Sequence, residues 1–308
     1  MRSTYSYLCT EPTVVCRKMV GPRYMKMRGI IHIVLIVIAV LVPHTSVAQI
    51  IAPSKEEVID ADSVRRAFDD NRSYFGLYKD NYFIFGPPIG SKPTRSNTNA
   101  LFQISISQRL TRSVLPLHTY LYLFYTQRCF WNVLEKSFPM TDLNFNPGIG
   151  LTKPLFVKDR FIGKVSLILE HESNGRDSTA SRSWNRLSIA GNIWLDPMIM
   201  VHGKFWAPWV DGENNRDLLD YMGLYQFGLT YRSLTQRFGG SIRLTKRRGW
   251  NLNYNTVIEF YYKLTANDNQ YLFAQYYNGY GEGMLDYKVF RSQFRVGICI
   301  KPPFFSDY

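Results

Sequence analysis

A histidine and a serine stand two residues apart in His171-Glu172-Ser173. Asn174-Gly175-Arg176 follows directly, and after Asp177-Ser178-Thr179-Ala180 comes Ser181-Arg182-Ser183-Trp184-Asn185-Arg186. A serine hydroxyl is a poor nucleophile until a neighbouring base takes its proton. His171 can act as that base if both side chains leave the same face of an extended strand. The imidazole then needs a third group that accepts from its far nitrogen and fixes the tautomer. Asn185 can accept through its amide oxygen, although it stabilises an imidazolium less than a carboxylate would. Taken alone, a His-x-Ser triplet occurs often by chance, so its meaning depends on the elements that carry it.

Those elements read as strands. Segments of about ten residues, broken by Gly, Asn, Asp or Pro, fall at 101–110, 117–127, 144–156, 163–171, 184–195 and 198–206. They continue at 223–231, 238–244, 251–262, 271–277 and 287–300, and with a first strand near 82–85 the total is about twelve. No helical periodicity of comparable length and no interdomain linker interrupts them. Around the chemical motif the alternation is sharp. Val165, Leu167, Leu169, His171 and Ser173 share one face, with Lys164, Ser166 and Glu170 on the other. In the next strand Asn185, Leu187, Ile189, Gly191, Ile193 and Leu195 lie together, opposite Arg186, Ser188, Asn192 and Trp194. Successive side chains point to opposite faces of a strand. In a lipid-embedded barrel the apolar face is outside and the polar one lines the lumen. His171, Ser173 and Asn185 then sit on the outer wall at the membrane edge. Glu172 falls on the opposite face and is no candidate acid, while Arg182, Arg186 and Trp184 line or cap the barrel. Trp131, Trp184, Trp206, Trp209, Tyr221, Tyr225, Tyr277 and Tyr280 stand at strand ends and could form an interfacial aromatic girdle.

Composition is compatible with this reading and with a soluble β-sandwich. Of 308 residues, 15% are aromatic, with 21 Tyr and 20 Phe, while the mean hydropathy is slightly negative, which excludes a helical membrane protein. An even number of strands without helical cover favours closure into an antiparallel barrel, which leaves no free edge. The formal charge is +13, of which residues 1–48 carry +5, leaving +8 spread along the rest. No basic stripe of the kind that binds nucleic acid is present. Basic loops would meet anionic head groups or form an ordinary solvated surface. Cys9 and Cys16 precede the body of the chain; Cys129 and Cys299 are too isolated for a disulfide framework or a zinc site and read as small apolar strand residues.

The N-terminal part reads as a leader. A basic start at 25–28, an apolar run of 14 residues over 29–42 and small residues at Ser46-Val47-Ala48 define a secretory signal peptide ending before Gln49. The run is short for a spanning helix, which takes about 20 residues. Residues 1–24 do not fit a signal peptide, so translation could begin at Met25 or Met27. The expected organisation is an upstream segment and signal peptide over 1–48, a polar tail over 49–75 with a short helix at 55–69, and a barrel over 76–308.

The whole block from His171 to Arg186 resembles the motif of the outer-membrane phospholipase A family. The resemblance extends to Tyr125-Thr126-Gln127, Tyr221-Met222-Gly223, Gly279-Tyr280-Gly281-Glu282 and Asp286-Tyr287, and covers roughly residues 80–300. It implies a twelve-stranded transmembrane barrel in a bacterial outer membrane, active as a homodimer in calcium-dependent hydrolysis of membrane glycerophospholipid acyl esters. By motif position, Ser173 would be the nucleophile, His171 the general base and Asn185 its orienting partner. The backbone N–H of Gly175 would face the oxyanion. Arg176, through its carbonyl, and Ser181, through its hydroxyl, would bind Ca2+. Ser137, which precedes Pro139 and Asn144, would supply a calcium ligand to the partner chain, although its loop is slightly shorter than the resemblance leads one to expect. Gln127 would sit at the subunit contact, with a lumen position as the alternative. A barrel deacylase acting on lipid A would show an acidic third member and a smaller barrel, against which Asn185 speaks. A porin-like or structural barrel without catalysis is the remaining alternative.

Overall fold

The computed structural model describes residues 75–111, 115–157, 160–210, 213–265 and 269–302. The leader, the tail up to residue 74 and the helix expected over 55–69 lie outside the described residues. The strands are β1 (Phe75–Leu77), β2 (Asn81–Gly86), β3 (Asn99–Arg109), β4 (Tyr120–Trp131), β5 (Met140–Val157), β6 (Arg160–Ser173) and β7 (Ser183–Trp194). After them come β8 (Ile199–Val210), a short helix α1 (Leu218–Met222), β9 (Tyr225–Arg232), β10 (Phe238–Lys246), β11 (Tyr254–Lys263), β12 (Gln270–Gly279) and β13 (Arg291–Ile300).

From β2 to β13 the strands hydrogen-bond antiparallel, and the β3–β4 pairing closes the ring. β1 and β2 lie end to end along β3, with Leu77 facing Ile106 and Tyr82 facing Gln103. They are one stave broken at residues 78–80, so the barrel has twelve staves. At the break, side chains complete the ladder: Lys79 N–H donates to Ser105 Oγ at 3.2 Å, and Ser105 N–H donates to Asn81 Oδ1.

The period-two pattern sorts the side chains as the sequence implies. Leu167, Leu169, Leu187, Ile189 and Ile193 are exposed on the outer wall, while Ser166, Glu170, Arg186, Ser188 and Asn192 are buried within. The interior is an ion-paired network. Glu170 meets Arg186 at 2.8 Å and Lys204 at 2.6 Å; Glu172 meets Arg186 at 2.9 Å and Arg128 at 3.2 Å. A second cluster joins Glu259 to Arg243, to Ser241 at 2.8 Å and to Gln275 at 3.0 Å. Buried charges persist where each finds a partner. Cys129 and Cys299 are free and buried.

One end of the barrel carries the connections at 87–98, 132–139, 174–182, 211–224, 247–253 and 280–290, most of them long; apart from 110–119, the other carries shorter ones, at 158–159, 195–198, 233–237 and 264–269, and both ends of the described chain. At the long-loop end α1 and the 280–290 connection fold over the lumen. Leu218 and Met284 are fully buried there against Trp184 and Tyr287. Met284 N–H donates to Asn144 Oδ1 at 3.2 Å and Leu285 N–H to Asp142 Oδ2 at 3.0 Å. Tyr287 donates to Asp217 at 2.6 Å. Hydrogen bonds from Lys288 and then Tyr287 hold the Asp217 carboxyl below the usual aspartate range, and burial followed by the Asp217 carboxylate pushes Tyr287 up to about 12. Because the Asp217 pKa is depressed, this clasp is present above the unfolded aspartate value and is lost as pH falls through the folded one.

The cap corrects two expectations. The last strand begins at Arg291 rather than at residue 287, because Tyr287 turns into the cap. The aromatic girdle is only partial. Trp209 is half exposed and Tyr225 stacks on the outward Phe205, but Trp184, Trp206 and Tyr221 pack under the cap and Tyr277 is buried. Trp184 lies on the Arg186 face of β7, so its parity sends it inward.

Glu170→Gln removes the charge that Arg186 and Lys204 share, and breaking such a buried cluster costs about 3 kcal/mol. The urea midpoint for unfolding in micelles is expected to drop accordingly; an unchanged midpoint would show that the cluster contributes no net stability.

Candidate active site

β6 and β7 form a hairpin whose register sets His171 opposite Asn185 and Ser173 opposite Ser183. Directly opposed residues bring their Cβ atoms to about 5 Å, near enough for a short amide to reach an imidazole. His171 Nδ1 and Asn185 Oδ1 lie 2.9 Å apart. An amide oxygen only accepts, so Nδ1 carries the proton and Nε2 is left with a free lone pair. Both side chains are half-buried on the outer wall, beyond the exposed Leu169 and Leu187. Ser173, the last residue of β6, shares that face. Among the described residues no hydrogen bond joins Ser173 to His171; such contacts commonly tighten only when substrate is bound.

On the other edge, β6 pairs with β5, where Phe145 faces Ser173 and Gly148 faces Glu170. Asn146 Nδ2 donates to the backbone carbonyl of His171 at 2.8 Å. Glu172 points inward to Arg128, Arg186 and Trp184, and takes no part in the outer face.

The connection 174–182 is organised by the buried Asn174. Its Oδ1 accepts from the N–H of Arg182 at 2.9 Å and of Arg176 at 3.4 Å; its Nδ2 donates to Ala180 O at 2.9 Å. Residues 176 and 182 are thereby gathered about one oxygen. Gly175 has φ +63°, and a Cβ there would stand 2.8 Å from the Phe145 ring, so both backbone and space require glycine. Its N–H donates to no protein acceptor among the described residues. Arg176 reaches across to Thr141 O at 2.8 Å, Arg182 folds back on Thr179 O at 2.7 Å, and Asn215 fixes Ser183 O at 2.8 Å.

The motif residues thus lie on one hairpin and its connection, with His171, Ser173 and Asn185 on the outer face and Gly175, Arg176 and Ser181 in the 174–182 segment. Ser137 is exposed in the 132–139 connection with φ +69° and bonds to neither Arg176 nor Ser181 among the described residues. Gln127 lies on the outer wall with the exposed Leu123, and Tyr125 donates to its Oε1 at 3.0 Å; its neighbour Thr126 points inward to Ser105. The lumen alternative for Gln127 does not hold. Asn146, Asn174 and Asn215 are site residues to which sequence reasoning gave no role. Strand parity alone would have sent Asn174 inward, on the side of Glu170 and Glu172.

No group of three His, Cys, Asp or Glu side chains able to hold a metal occurs among the described residues. The oxygens of Arg176 and Ser181 are neutral and hard. Such oxygens suit a calcium ion that keeps several waters and takes further ligands from elsewhere, and suit a softer metal poorly.

A family model described as phospholipase A1 matches residues 71–300. Phospholipase A1 of Escherichia coli (strain K12) is 30% identical over 280 residues, covering 81% of this chain and 91% of that protein. Its Salmonella typhimurium counterpart is 30% identical over 297 residues, covering 86% and 96%. Among solved structures, outer membrane phospholipase A from Escherichia coli superposes with a TM-score of 0.65 at 25% identity, covering 75% of this chain and all of that one (100%). A Salmonella typhi outer membrane phospholipase dimer with bound calcium gives a TM-score of 0.67 at 24% identity, covering 79% and 98%.

Asn174→Ala removes the three side-chain bonds that brace the loop and leaves only the main-chain bond from residue 174 to Arg182 O across its base. Trypsin is expected to cut after Arg176 or Arg182 roughly tenfold faster in the folded variant than in the parent, as local opening becomes easier. Equal cleavage rates would mean that Asn174 does not hold the loop.

Proposed function

The chain belongs to the phospholipase A1 family, and we propose that it cleaves acyl esters of membrane glycerophospholipids with a Ser173-His171-Asn185 triad that works beside calcium in a homodimer. It is an enzyme that hydrolyses phospholipids, built as an outer-membrane β-barrel. The observation that carries the triad is the 2.9 Å contact between His171 and Asn185 on the outer wall, with Ser173 on the same face. A related Escherichia coli structure is an active-site mutant in which an asparagine is replaced by alanine.

In this reading His171 Nε2 takes the proton of Ser173 Oγ as the oxygen attacks the ester carbonyl. The Gly175 N–H donates to the oxyanion of the tetrahedral adduct. As the adduct collapses, His171 returns the proton to the departing alcohol oxygen, which leaves as lysophospholipid, and the acyl group stays on Ser173. His171 next deprotonates a water that attacks the acyl-serine, and fatty acid departs with the serine hydroxyl restored. Throughout, Asn185 accepts from Nδ1–H and keeps the ring in the useful tautomer.

Arg176 O and Ser181 Oγ would hold calcium, and Ser137 of a second copy would add a ligand. A bound calcium ion supplies positive charge that polarises the ester carbonyl. The related Salmonella typhi protein is a dimer with bound calcium. Gln127 is a polar group on a lipid-facing wall, bonded within its own strand to Tyr125 and Cys129; a second copy packed against that wall would shield it from lipid. Longer loops of such barrels face outward from the cell, so the 174–182 connection would place the site at the outer leaflet. Hydrolysis would then follow the arrival of phospholipid in that leaflet. Residues 1–48 would direct export and be removed before Gln49. A porin-like role is disfavoured by the capped, ion-paired lumen.

Refolded protein in micelles should release fatty acid from phosphatidylethanolamine when calcium is added and stop when it is chelated. Ser173→Ala should lower the rate by roughly 10³-fold or more while the barrel stays folded; unchanged release would remove Ser173 from the mechanism. Chemical cross-linking should trap a dimer with calcium and much less without it, and a monomer under both conditions would overturn the dimeric part.

A further inference from the structure

We propose that Asn146 is a positioning residue for the general base: its side-chain amide replaces the backbone donor that Pro147 lacks and holds the peptide carrying His171 in the barrel wall. The inference rests on reading His171 as the base. Between β5 and β6 the pairs Phe145–Ser173 and Gly148–Glu170 follow one antiparallel register, which sets Pro147 opposite His171. The ladder is interrupted between those two pairs. Along the other edge of β5, Tyr125 pairs with Pro147 and Thr126 with Asn146 without a break. A proline nitrogen has no hydrogen to donate, so a gap on the β6 side alone means that this nitrogen faces the carbonyl of His171. Asn146 Nδ2 fills the vacancy at 2.8 Å. It does so from the lumen side, where Asn146 lines the interior cavity with Glu172 and Arg186.

The consequence reaches the catalytic face. A backbone carbonyl within a membrane wall needs a donor, and without one the strand at His171 can rotate or take in water. His171 must meet Asn185 on one side and Ser173 on the other, and small displacements of a base are costly to proton transfer. β7 fixes the residue from one edge; Asn146 fixes it from the other.

The test uses Asn146→Ala, Pro147→Ala and the double variant in the full refolded barrel, with rates expressed per folded molecule from heat-modified gel mobility. Asn146→Ala should lower kcat about tenfold, the effect of losing one hydrogen bond, with KM little changed. It should also shift the acid limb of the kcat–pH profile, which a loss of folded protein alone would not do. Pro147→Ala alone should behave like the parent. The double variant should recover most of the lost kcat, because Pro147→Ala restores a backbone N–H opposite His171. If Asn146→Ala does not fold, Asn146→Asp, which keeps the shape but cannot donate when ionised, gives the same comparison with and without Pro147→Ala. An unchanged kcat and pH profile in the single variant, or no recovery in the double one, overturns the proposal. These outcomes are separable from the triad assignment, which fails only if Ser173→Ala keeps its activity.

Discussion

Backbone groups that cross hydrocarbon have no water to pair with, and every feature of this chain follows from having to pair them internally. Closure of β3 onto β4 removes the last free edge and locks all registers at once. A slip of one residue would turn Leu167 and Leu169 into the lumen and Glu170 into lipid. The same lock sets His171 opposite Asn185, so their contact is a product of the barrel's hydrogen bonding and not of a loop that happens to fold well. Where the ladder fails, a side chain stands in: Ser105 and Asn81 at the break in the first stave, Asn146 beside Pro147.

The two faces of the wall answer to different solvents. Inward, Glu170, Glu172 and Glu259 each meet a cation, and the cap of α1 and the 280–290 connection closes the lumen above them. Buried ion pairs of this kind gain little over apolar packing but are costly to break, so their effect is to hold one arrangement. Outward, leucines and isoleucines face lipid at little penalty. The stiff interior is what lets an outer surface, with nothing packed against it, keep a hydrogen bond in place.

Strand positions were legible because period two survives in nearly every segment, and parity assigned the faces of β6 and β7 residue by residue. The placement of the candidate triad was legible because His171, Ser173 and Asn185 lie on one such face within a single hairpin. What the pattern could not convey was the direction of residues at strand ends and in long connections. Trp184 and Trp206 look like girdle residues in sequence, yet they pack beneath a cap whose parts, Leu218 and Met284, lie far apart in the chain. Asn174 sits inside the motif, but its role depends on the return of Arg182 to the same oxygen, and nothing local foretells that. Asn146 gains meaning only from a proline beside it and a carbonyl on the next strand.

The outer wall also bears on why the third member of the proposed triad is an amide. From residue 165 to 173, the outward positions of β6 are Val165, Leu167, Leu169, His171 and Ser173, and the two carboxylates of the strand, Glu170 and Glu172, both turn inward to cations. A carboxylate at position 185 would stand at the lipid edge with no cation of its own, where desolvation penalises the charged form. Asn185 accepts the same hydrogen bond without that charge. The loss is weaker support for the imidazolium in the transition state, and calcium held by the neutral oxygens of Arg176 and Ser181 would offset it by stabilising the oxyanion instead. In the proposed site positive charge supplied from outside the chain would take over work that a buried carboxylate does in a soluble triad, and catalysis would then be conditional on whatever delivers the ion.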